Sequence, residues 1–381
     1  MLTRPRLLIL SFSPLRTDAR VLKQIALFSD RYEVTTCGYG PAPDGVAAHF
    51  EMPRSADYQD LNGRLITLRW YQAAYWRISA VAWVRRHVPR DSYDVALANE
   101  TEAVPVALWL RPRGGVHADL HEFTPRLNEE LPAWKRRIAP FHRWVCRRYV
   151  RRASSWTTVS PGIVRAYQEE FGFVPELVTN AAPLTDLSPS PVDTPIRLVH
   201  SGACLRNRRL DVLLDAFAAS TADATLDLIL TPNHPDFLAE LKERAAEIPG
   251  ARVLDPVPYE ELIGRLNTYD VGVHVLPPTN FNNAWALPNK LFEYAQARLG
   301  VVVGPSPEMA AYVESLGFGV VTDGFAADDL SAALDALDAE SVAGWKAAAH
   351  AHAYELSAES QLPVWERAID ALAAEAGGDA R

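Results

Sequence analysis

The sequence predicts an α/β protein made of two doubly wound domains, and three observations support this. Apolar strands alternate with helical segments along the chain, a pattern typical of parallel sheets covered by helices on both faces. The length of 381 residues suits two domains. The Pro/Ser/Asp-rich stretch APLTDLSPSPVDTPIR, residues 182–197, interrupts the alternation and has the composition of a linker.

Strands and helices follow one another regularly in the first half. The predicted strands cover residues 6–13, 32–40, 93–100, 115–123, 154–160 and 176–183. The predicted helices cover residues 18–30, 64–88, 101–111, 134–152 and 160–171. Asp18 is placed to cap the first helix, because its carboxylate can accept the free N–H groups of the first turn.

The second half repeats the pattern. The predicted strands cover residues 197–203, 224–231, 251–257, 271–277, 300–304 and 318–322. The predicted helices cover residues 210–220, 235–248, 259–269, 289–298, 306–316 and 327–337. We assign residues 1–185 to a first domain, 186–355 to a second, and 356–381 to a C-terminal helix that packs back on the first domain.

Charge separates the two halves. Residues 1–185 carry 25 basic and 18 acidic side chains, whereas residues 186–381 carry 13 basic and 29 acidic ones, for a net charge of −9. Opposite signs indicate two units with different partners. The acidic total and the absence of a recognised nucleic-acid motif argue against nucleic-acid binding.

Cysteine use and hydropathy indicate a cytoplasmic protein. The three cysteines, Cys37, Cys146 and Cys204, are far apart in the sequence and odd in number, which disfavours a disulfide framework and fits a reducing compartment. We expect each to be a small buried side chain. The apolar run near the N-terminus is too short for a signal peptide, and no segment reaches the ~20 apolar residues of a membrane span.

A positive loop follows the first strand of the second half. Gly202 ends the run RLVHSG, and Arg206, Arg208 and Arg209 precede a helix that begins near Leu210. Helix N-terminal N–H groups, the helix dipole and arginine forks all favour a bound anion such as phosphate. The alternative is a solvated basic loop, but the otherwise acidic composition of this half favours the anion site.

A second signal lies in LPNKLFEYAQARLGVVVG, residues 287–304, which predicts a turn, a helix and a buried strand. Pro288 presets a helix start, so that Lys290 falls in the first turn, where a cation opposes the helix dipole. Glu293 lies on the same helical face, and an exposed pair at this spacing contributes only about 0.2–0.5 kcal/mol. The pattern therefore predicts an anion beside Lys290 and a ribose diol beside Glu293.

Taken in order, these motifs resemble those of family-4 retaining glycosyltransferases of the GT-B fold, over nearly the whole chain. LPNKLFEY with the following GVVVG is similar to the second half of the family signature. LLILSFSPLRTDARVLKQIALF, YDVALANETEAVPVAL, VHADLHEFTPR and SGACLRNRRLDVLLDAF are similar to its other motifs. The resemblance implies the GT-B architecture, in which two Rossmann-like domains face each other across a cleft.

The resemblance also implies roles at matched positions. Glu293 matches the second Glu of the Glu-x7-Glu motif, which holds the nucleotide ribose, and Arg208 matches the basic residue on the diphosphate. His121 matches the first-domain histidine beside the reacting sugar. On the residues alone, His121 could instead be a loop histidine satisfied by its neighbours.

The chain departs from the family pattern in two places. Trp285 stands where the first Glu, which contacts the donor sugar, is expected, and Ala203 stands where an Arg often follows the strand-end glycine. We expect Asn282, Asn283 or a backbone N–H to hold the donor sugar instead, and Lys290 or Arg206 to supply the missing charge. What replaces the first Glu stays open.

The resulting candidate site is as follows. The candidate catalytic residues are His121, Arg208 and Lys290, and the candidate nucleotide-binding residues are Gly202, Arg206, Arg208, Leu287, Asn289, Lys290 and Glu293. The donor sugar is assigned to Asn282, Asn283 and Trp285, and the acceptor side to Arg16, Asp18, Arg20 and Glu122. Arg20 could alternatively be a solvated first-turn residue. His274, which alternates with apolar residues, is expected to be structural.

The implied reaction is transfer of a sugar from a nucleoside-diphosphate sugar, UDP favoured over GDP, to an acceptor hydroxyl with retention of configuration. Cationic side chains would stabilise the leaving diphosphate without a metal or another cofactor. Two alternatives remain: a GT-B sugar-nucleotide epimerase, and a degenerate transferase that acts as a binding module. The sequence leaves open the base, the donor sugar, the linkage, the oligomeric state and whether the acceptor is a sugar, a lipid-linked saccharide or a small molecule.

A basic and aromatic segment, residues 134–152, raises the question of membrane contact. It contains eight Lys or Arg residues and no acidic residue, interleaved with Trp134, Phe141, Trp144 and Tyr149. This composition suits contact with anionic lipid at the inner face of the membrane. An anionic acceptor or a solvated helix face docked by its aromatic residues would explain it equally well.

Overall fold

The computed structural model describes residues 4–378. The chain divides into two compact units, the first made of Met1–Thr179, Asn280–Asn282 and Gln361–Arg381, the second of Asn180–Thr279 and Asn283–Ser360. Residues 180–185, placed by the sequence analysis in the first domain, belong to the second unit. The carbonyl of Ala182 accepts a hydrogen bond from Ala358, and Thr185 bonds Gln296. Residues 379–381 of the predicted C-terminal segment lie outside the described residues.

The first unit is built on a parallel sheet with the strand order β3-β2-β1-β4-β5-β6-β7. Its strands are Arg6–Pro14 (β1), Glu33–Tyr39 (β2), Ala48–Met52 (β3), Val95–Asn99 (β4), Gly115–Leu120 (β5), Ser155–Thr158 (β6) and Glu176–Leu177 (β7). Its helices up to the second unit are Ala19–Phe28 (α1), Gly63–Thr67 (α2), Tyr71–Tyr75 (α3), Ser79–His87 (α4), Val104–Leu110 (α5), Pro132–Arg137 (α6), Ala139–Arg148 (α7) and Pro161–Phe171 (α8).

Three predictions for this unit need correction. The edge strand β3, with the partly polar sequence AHFEM, was not predicted. The helix predicted over residues 64–88 is three short helices, and the chain turns between α2 and α3 at Arg69, which has a left-handed φ of 57°. The helix predicted over 134–152 breaks at Ile138, because Pro140 in the next helix cannot continue the hydrogen-bond ladder of the preceding turn.

Buried residues cover both faces of the first sheet. Successive residues of a strand point to opposite faces, so that Leu8 and Leu10 pack in one cluster and Leu7 and Ile9 in another. The C-terminal helix of this unit covers the second face, with Trp365, Ile369 and Leu372 in the same cluster as Leu7 and Ile9.

The second unit is also a parallel sheet, with the strand order β10-β9-β8-β11-β12-β13. Its strands are Ile196–Ala203 (β8), Ala224–Thr231 (β9), Ala251–Leu254 (β10), Val271–His274 (β11), Gly300–Val303 (β12) and Gly319–Val321 (β13). The remaining helices of the chain are Leu210–Ala219 (α9), Pro235–Ala246 (α10), Tyr259–Leu266 (α11), Phe281–Ala284 (α12), Asn289–Gln296 (α13), Pro307–Leu316 (α14), Ala327–Asp335 (α15), Ala339–Ala351 (α16) and Leu362–Gly378 (α17), the last of which belongs to the first unit.

One close approach fixes helix α13 on the second sheet. A Cβ on Gly272 of β11 would fall against the ring of Tyr294, so that only glycine lets α13 pack this near. The Tyr294 hydroxyl accepts a hydrogen bond from the backbone N–H of Ser201 at 3.1 Å. Helix α13 is thereby held at the carboxyl end of β8. Helix α16, which is Ala-rich and weakly amphipathic, was not predicted.

Two sequence expectations about composition can be compared with the structure directly. Cys37, Cys146 and Cys204 are buried free thiols, as predicted. Among residues 4–378, no helix combines the length and the apolar character needed to cross a membrane.

Candidate active site

Polar side chains gather in each unit at the point where the strand order reverses. In open parallel sheets this reversal leaves a crevice beyond the carboxyl ends of the strands, where ligands bind. The reversal falls between β1 and β4 in the first unit and between β8 and β11 in the second. Among the predicted catalytic residues, His121 follows β5 and faces Asn99 at the end of β4. Arg208 follows β8, and Lys290 lies on α13 against Gly202 of β8.

In the second unit, Lys290 meets the end of strand β8. Gly202 has a φ of +134°, and a Cβ there would lie 2.7 Å from Cε of Lys290. Glycine at this position therefore makes room for the lysine side chain beside the backbone that ends the strand. The structure thus brings together two predicted residues that are 88 positions apart in the sequence.

The charge of Lys290 is poorly solvated. Burial lowers the pKa of Lys290 to about 8. The nearby charge of Arg208 also lowers this pKa, whereas the carboxylate of Glu293 raises it. Glu293 lies one turn further along α13 and is only 6% exposed. A half-buried ammonium at a helix start is costly unless an anion lies nearby. The three residues form a compact group with one carboxylate and two cations.

The arginines of the loop after β8 differ in their surroundings. Arg208 lies in a 3₁₀ turn, Arg206–Arg208, and acts electrostatically on Lys290. Arg206 instead forms an exposed ion pair with Glu240 on α10, donating from Nη1 to Oε2 at 2.9 Å, and its guanidinium lies over Phe237. Of the two proposed sources for the missing cation, the structure therefore brings Lys290 to the strand end, whereas Arg206 turns toward α10.

Two histidines lie beneath this group. His200 of β8 and His274 of β11 are buried with ring centroids 5.7 Å apart. His200 bonds the carbonyl of Val273 through Nδ1, whereas both ring nitrogens of His274 lack a hydrogen-bond partner. Burial lowers the pKa of both, and Lys290 lowers each further. His274 was expected to be structural; the structure leaves both of its ring nitrogens without a hydrogen-bond partner near Lys290 and Arg208.

The remaining donor-side predictions are placed as follows. Leu287 is buried in the core and Asn289 is exposed at the start of α13. Asn283 donates to Thr279 at 2.8 Å, and Trp285 is half-buried. Asn282 belongs to the first unit, where its Oδ1 accepts the backbone N–H of Phe123 at 2.8 Å. Its amide is therefore engaged by the segment that follows His121.

The first unit contains a cavity of about 190 Å³ at its strand reversal. It is lined by Ser11, Phe12, Ser13, Asp18, Tyr58, Glu100, Glu102, His121, Glu122, Thr124 and Leu127. Four of these are carboxylic acids and one is a histidine. In a half of the chain that is otherwise basic, this cavity is acidic.

His121 is held as a cation inside this cavity. Its Nδ1 lies 3.0 Å from Oε1 of Glu100, and its Nε2 lies 3.2 Å from Oδ1 of Asn99 and 3.4 Å from Oδ2 of Asp119. Burial opposes its charge, but Glu100 and Asp119 together raise its pKa to about 10. Acceptor oxygens face both ring nitrogens, so that His121 in its protonated form donates hydrogen bonds from both.

A buried polar network supports His121 from below. The carboxylate of Asp119 accepts hydrogen bonds from Nε and Nη2 of Arg20, at 2.7 and 2.6 Å. It also accepts hydrogen bonds from Gln24 and Thr157, at 2.7 Å each. Arg20 and His121 hold the pKa of Asp119 well below its usual range in spite of burial. Arg20, predicted on the acceptor side, is only 5% exposed and is held by Asp119 beneath His121.

Glu102 is a carboxylate of the cavity with a raised pKa. Burial and the neighbouring Glu100 raise its pKa to about 7. Thr101 donates to it at 2.9 Å, and Nδ1 of His142 lies 3.4 Å from its Oε1. Neither Glu100 nor Glu102 was singled out from the sequence. Their position directly after an apolar strand was the available signal.

Two of the other three residues predicted on the acceptor side line this cavity, and the third does not. Asp18 and Glu122 line the cavity. Asp18 also caps α1, as predicted, accepting the N–H groups of Arg20 and Val21. Arg16 is not among the lining residues; it is exposed and pairs with Asp44 at 3.3 Å. In the described range 4–378, no cluster of three or more His, Cys, Asp or Glu residues is arranged to hold a metal.

No family model and no curated protein matches this sequence, but solved structures do match the fold. HepE of Anabaena in complex with UDP-glucose is 15% identical, with a TM-score of 0.69, and covers 96% of this chain and 100% of its own. Sucrose-phosphate synthase of Thermosynechococcus elongatus is 13% identical, with a TM-score of 0.70, over 97% of this chain and 100% of its own.

A third structure, of trehalose-6-phosphate synthase, comes from a study of enzymatic glycosyl transfer with retention. It is 12% identical, with a TM-score of 0.67, and covers 96% of this chain and 99% of its own. At these identities the likeness establishes the fold. The chain has the GT-B fold, with two parallel-sheet α/β domains, and the predicted fold class is confirmed.

Proposed function

We propose that this protein is a glycosyltransferase that uses a nucleoside-diphosphate sugar as donor. The observation that carries the proposal is the position of Lys290, packed against Gly202 at the end of β8 with the buried carboxylate of Glu293 one turn further along. A cation beside strand-end backbone suits a diphosphate, and a buried carboxylate suits a ribose diol. We assign Arg208, half-buried in the loop after β8, to the same diphosphate.

UDP is the favoured nucleotide, and GDP is the alternative. HepE, which shares the fold, was solved with UDP-glucose and with UDP plus glucose. We assign Asn283 and Trp285, together with Asn282, to the donor sugar. Trp285 in place of a carboxylate predicts that the sugar is held by an apolar face and amide groups.

The proposed chemistry depends on charge that develops on the leaving diphosphate. Lys290 and Arg208 stabilise this charge where burial weakens screening, and we propose that no metal is required. We further propose retention, a property with which the trehalose-6-phosphate synthase structure is associated. Because His121 is protonated at neutral pH, the acceptor proton is proposed to pass to the departing phosphate, with His121 donating a hydrogen bond to the reacting sugar.

The acidic cavity in the first unit bears on the acceptor. Asp18, Glu100 and Glu122 line it together with Glu102, and His121 is the basic residue among its lining. An acceptor that carries a phosphate near its reacting hydroxyl would be repelled. We therefore propose an acceptor whose reacting end is neutral or cationic. The acidic cavity disfavours the anionic acceptor that the sequence analysis considered for residues 134–152.

A transfer assay tests the proposal. The purified chain is incubated with UDP- and GDP-sugars and hydroxyl acceptors, and glycosylated product is detected by mass spectrometry. Arg208→Gln is expected to lower turnover by about 100-fold, since it removes a charge that stabilises the transition state. The neighbouring Arg209→Gln is the matched control, because Arg209 is exposed and pairs with Asp211. Equal turnover in both variants would remove the proposed role of Arg208.

Two alternatives stay distinguishable in the same assay. An epimerase would convert UDP-GlcNAc to its epimer without any acceptor. A binding module would bind nucleotide without turnover. We propose that the protein works in the cytoplasm, consistent with its three buried free thiols.

A further inference from the structure

A broad groove on the first unit is lined by cations and aromatic rings. It has a volume of about 700 Å³ and is open to solvent. It is lined by Arg69, Trp70, Tyr71, Gln72, Ala73, Trp76, Arg77, Trp144 and Arg148. Three of these residues are arginines and none is acidic, so the groove is complementary to negative charge.

The rim of the groove exposes large apolar side chains. Trp70 is 61% exposed and its neighbour Leu68 is 58% exposed. Both lie on the turn between α2 and α3, where Arg69 is left-handed. Leaving Trp and Leu in water forfeits about 1.5–3 kcal/mol of burial for each side chain. A turn that presents both beside arginines has the composition of a surface that meets a partly apolar partner.

Packed aromatic rings form the floor of the groove. Tyr71 packs against Trp144 and Phe141 with ring centroids 5.9 Å apart in both pairs. Tyr75 packs against Trp76 at 5.0 Å. The exposed Trp70 and the arginines therefore lie beside a base of packed aromatic rings.

We propose that this groove docks the protein on a bilayer that contains anionic lipid. Arg69, Arg77 and Arg148 would bind the phosphate groups of the lipid headgroups, while Trp70 and Leu68 enter the interfacial layer, which Trp favours. A free phosphate would engage the arginines but would leave the exposed Trp70 and Leu68 unexplained. An acidic protein partner is the competing occupant of the groove, and a vesicle-binding experiment distinguishes it from a lipid surface.

The membrane contact proposed here lies at a different place from the one that the sequence suggested, residues 134–152. Of that segment only Trp144 and Arg148 line the groove. Trp134 stacks on the ring of His142, with centroids 5.7 Å apart, and Phe141 is buried. The aromatic residues of the segment are thus occupied inside the unit, and the exposed apolar side chains lie on the turn before α3.

Co-sedimentation of the full chain with vesicles tests the proposal. Two vesicle compositions are used, phosphatidylcholine alone and phosphatidylcholine with 30% phosphatidylglycerol, without nucleotide. We expect binding to the second only, weakened by raised salt. Arg69→Gln combined with Arg77→Gln should lower the partition coefficient by about tenfold or more, given the contribution of each cation near such a surface. Trp70→Ala should lower it several-fold.

Matched controls keep the test specific. Lys242→Gln combined with Arg244→Gln removes two surface cations from the second unit, and Tyr354→Ala removes an aromatic residue that is also 61% exposed. Both controls should bind like the wild type. Equal binding to the two vesicle types, absence of binding to either, or equal losses in groove and control variants would each overturn the proposal. These outcomes leave the transfer assay unaffected, because no nucleotide or acceptor is present.

Discussion

At the scale of single residues, burial decides what each charged group does. Lys290 and His121 are both half-buried, yet their pKa values move in opposite directions. His121 has two carboxylates within 3.4 Å, which outweigh its desolvation, whereas Lys290 has one carboxylate nearby and a competing arginine. The surroundings of His121 therefore favour its charged form, whereas those of Lys290 disfavour it.

Lys290 yields a prediction about pH. Its pKa of about 8 means that the free protein loses this charge as pH rises through 8, so UDP affinity should fall about tenfold between pH 7 and 9.5. Lys290→Arg keeps its charge over this range because a guanidinium has a pKa above ~12. Calorimetric titration with UDP should therefore give a flatter profile for the variant. Identical profiles for the two proteins would contradict the role assigned to Lys290.

At the scale of helices and strands, a feature can be predicted from the sequence when the contacts that produce it are local. Apart from the partly polar edge strand β3, the strands of both sheets and the cap at Asp18 follow from alternation and spacing, which act within a few residues, and were predictable. The pair Arg20–Asp119 spans 99 positions and the pair Arg206–Glu240 spans 34, so no local pattern announces either. For the same reason Arg20 was assigned to the acceptor side, although it supports His121 from beneath.

Helix α17 provides the prediction at this scale. Trp365 is buried, lies under the guanidinium of Arg20 at 4.7 Å and donates to Thr157 at 3.2 Å. Trp365→Ala should destabilise the first unit by about 3–5 kcal/mol, the cost of emptying a buried Trp site. Denaturant unfolding measures this, with Trp70→Ala as the exposed control, expected within about 0.5 kcal/mol of the wild type. Similar losses in the two variants would show that α17 is not part of this core.

At the scale of the whole molecule, two parallel-sheet domains of the GT-B fold each carry a polar group at the reversal of their strand order. The group in the second domain combines cations with one buried carboxylate, and the group in the first combines carboxylates with one charged histidine. The group in each domain therefore has a charge opposite in sign to the net charge of that half of the chain, which is basic for residues 1–185 and acidic for residues 186–381. This opposite sign reflects local placement of a few side chains, which net charge could not predict.

The central claim is that the second domain binds a sugar nucleotide through Lys290, Arg208 and Glu293, and UDP binding to the full chain tests it most directly. Isothermal titration with UDP should give saturable 1:1 binding. Glu293→Ala should weaken this binding at least tenfold, since it removes the proposed ribose contact. The control Glu314→Ala, on the exposed face of α14, should leave it unchanged. No measurable binding of UDP or GDP by the folded wild-type protein, or equal affinity in Glu293→Ala, would contradict the account.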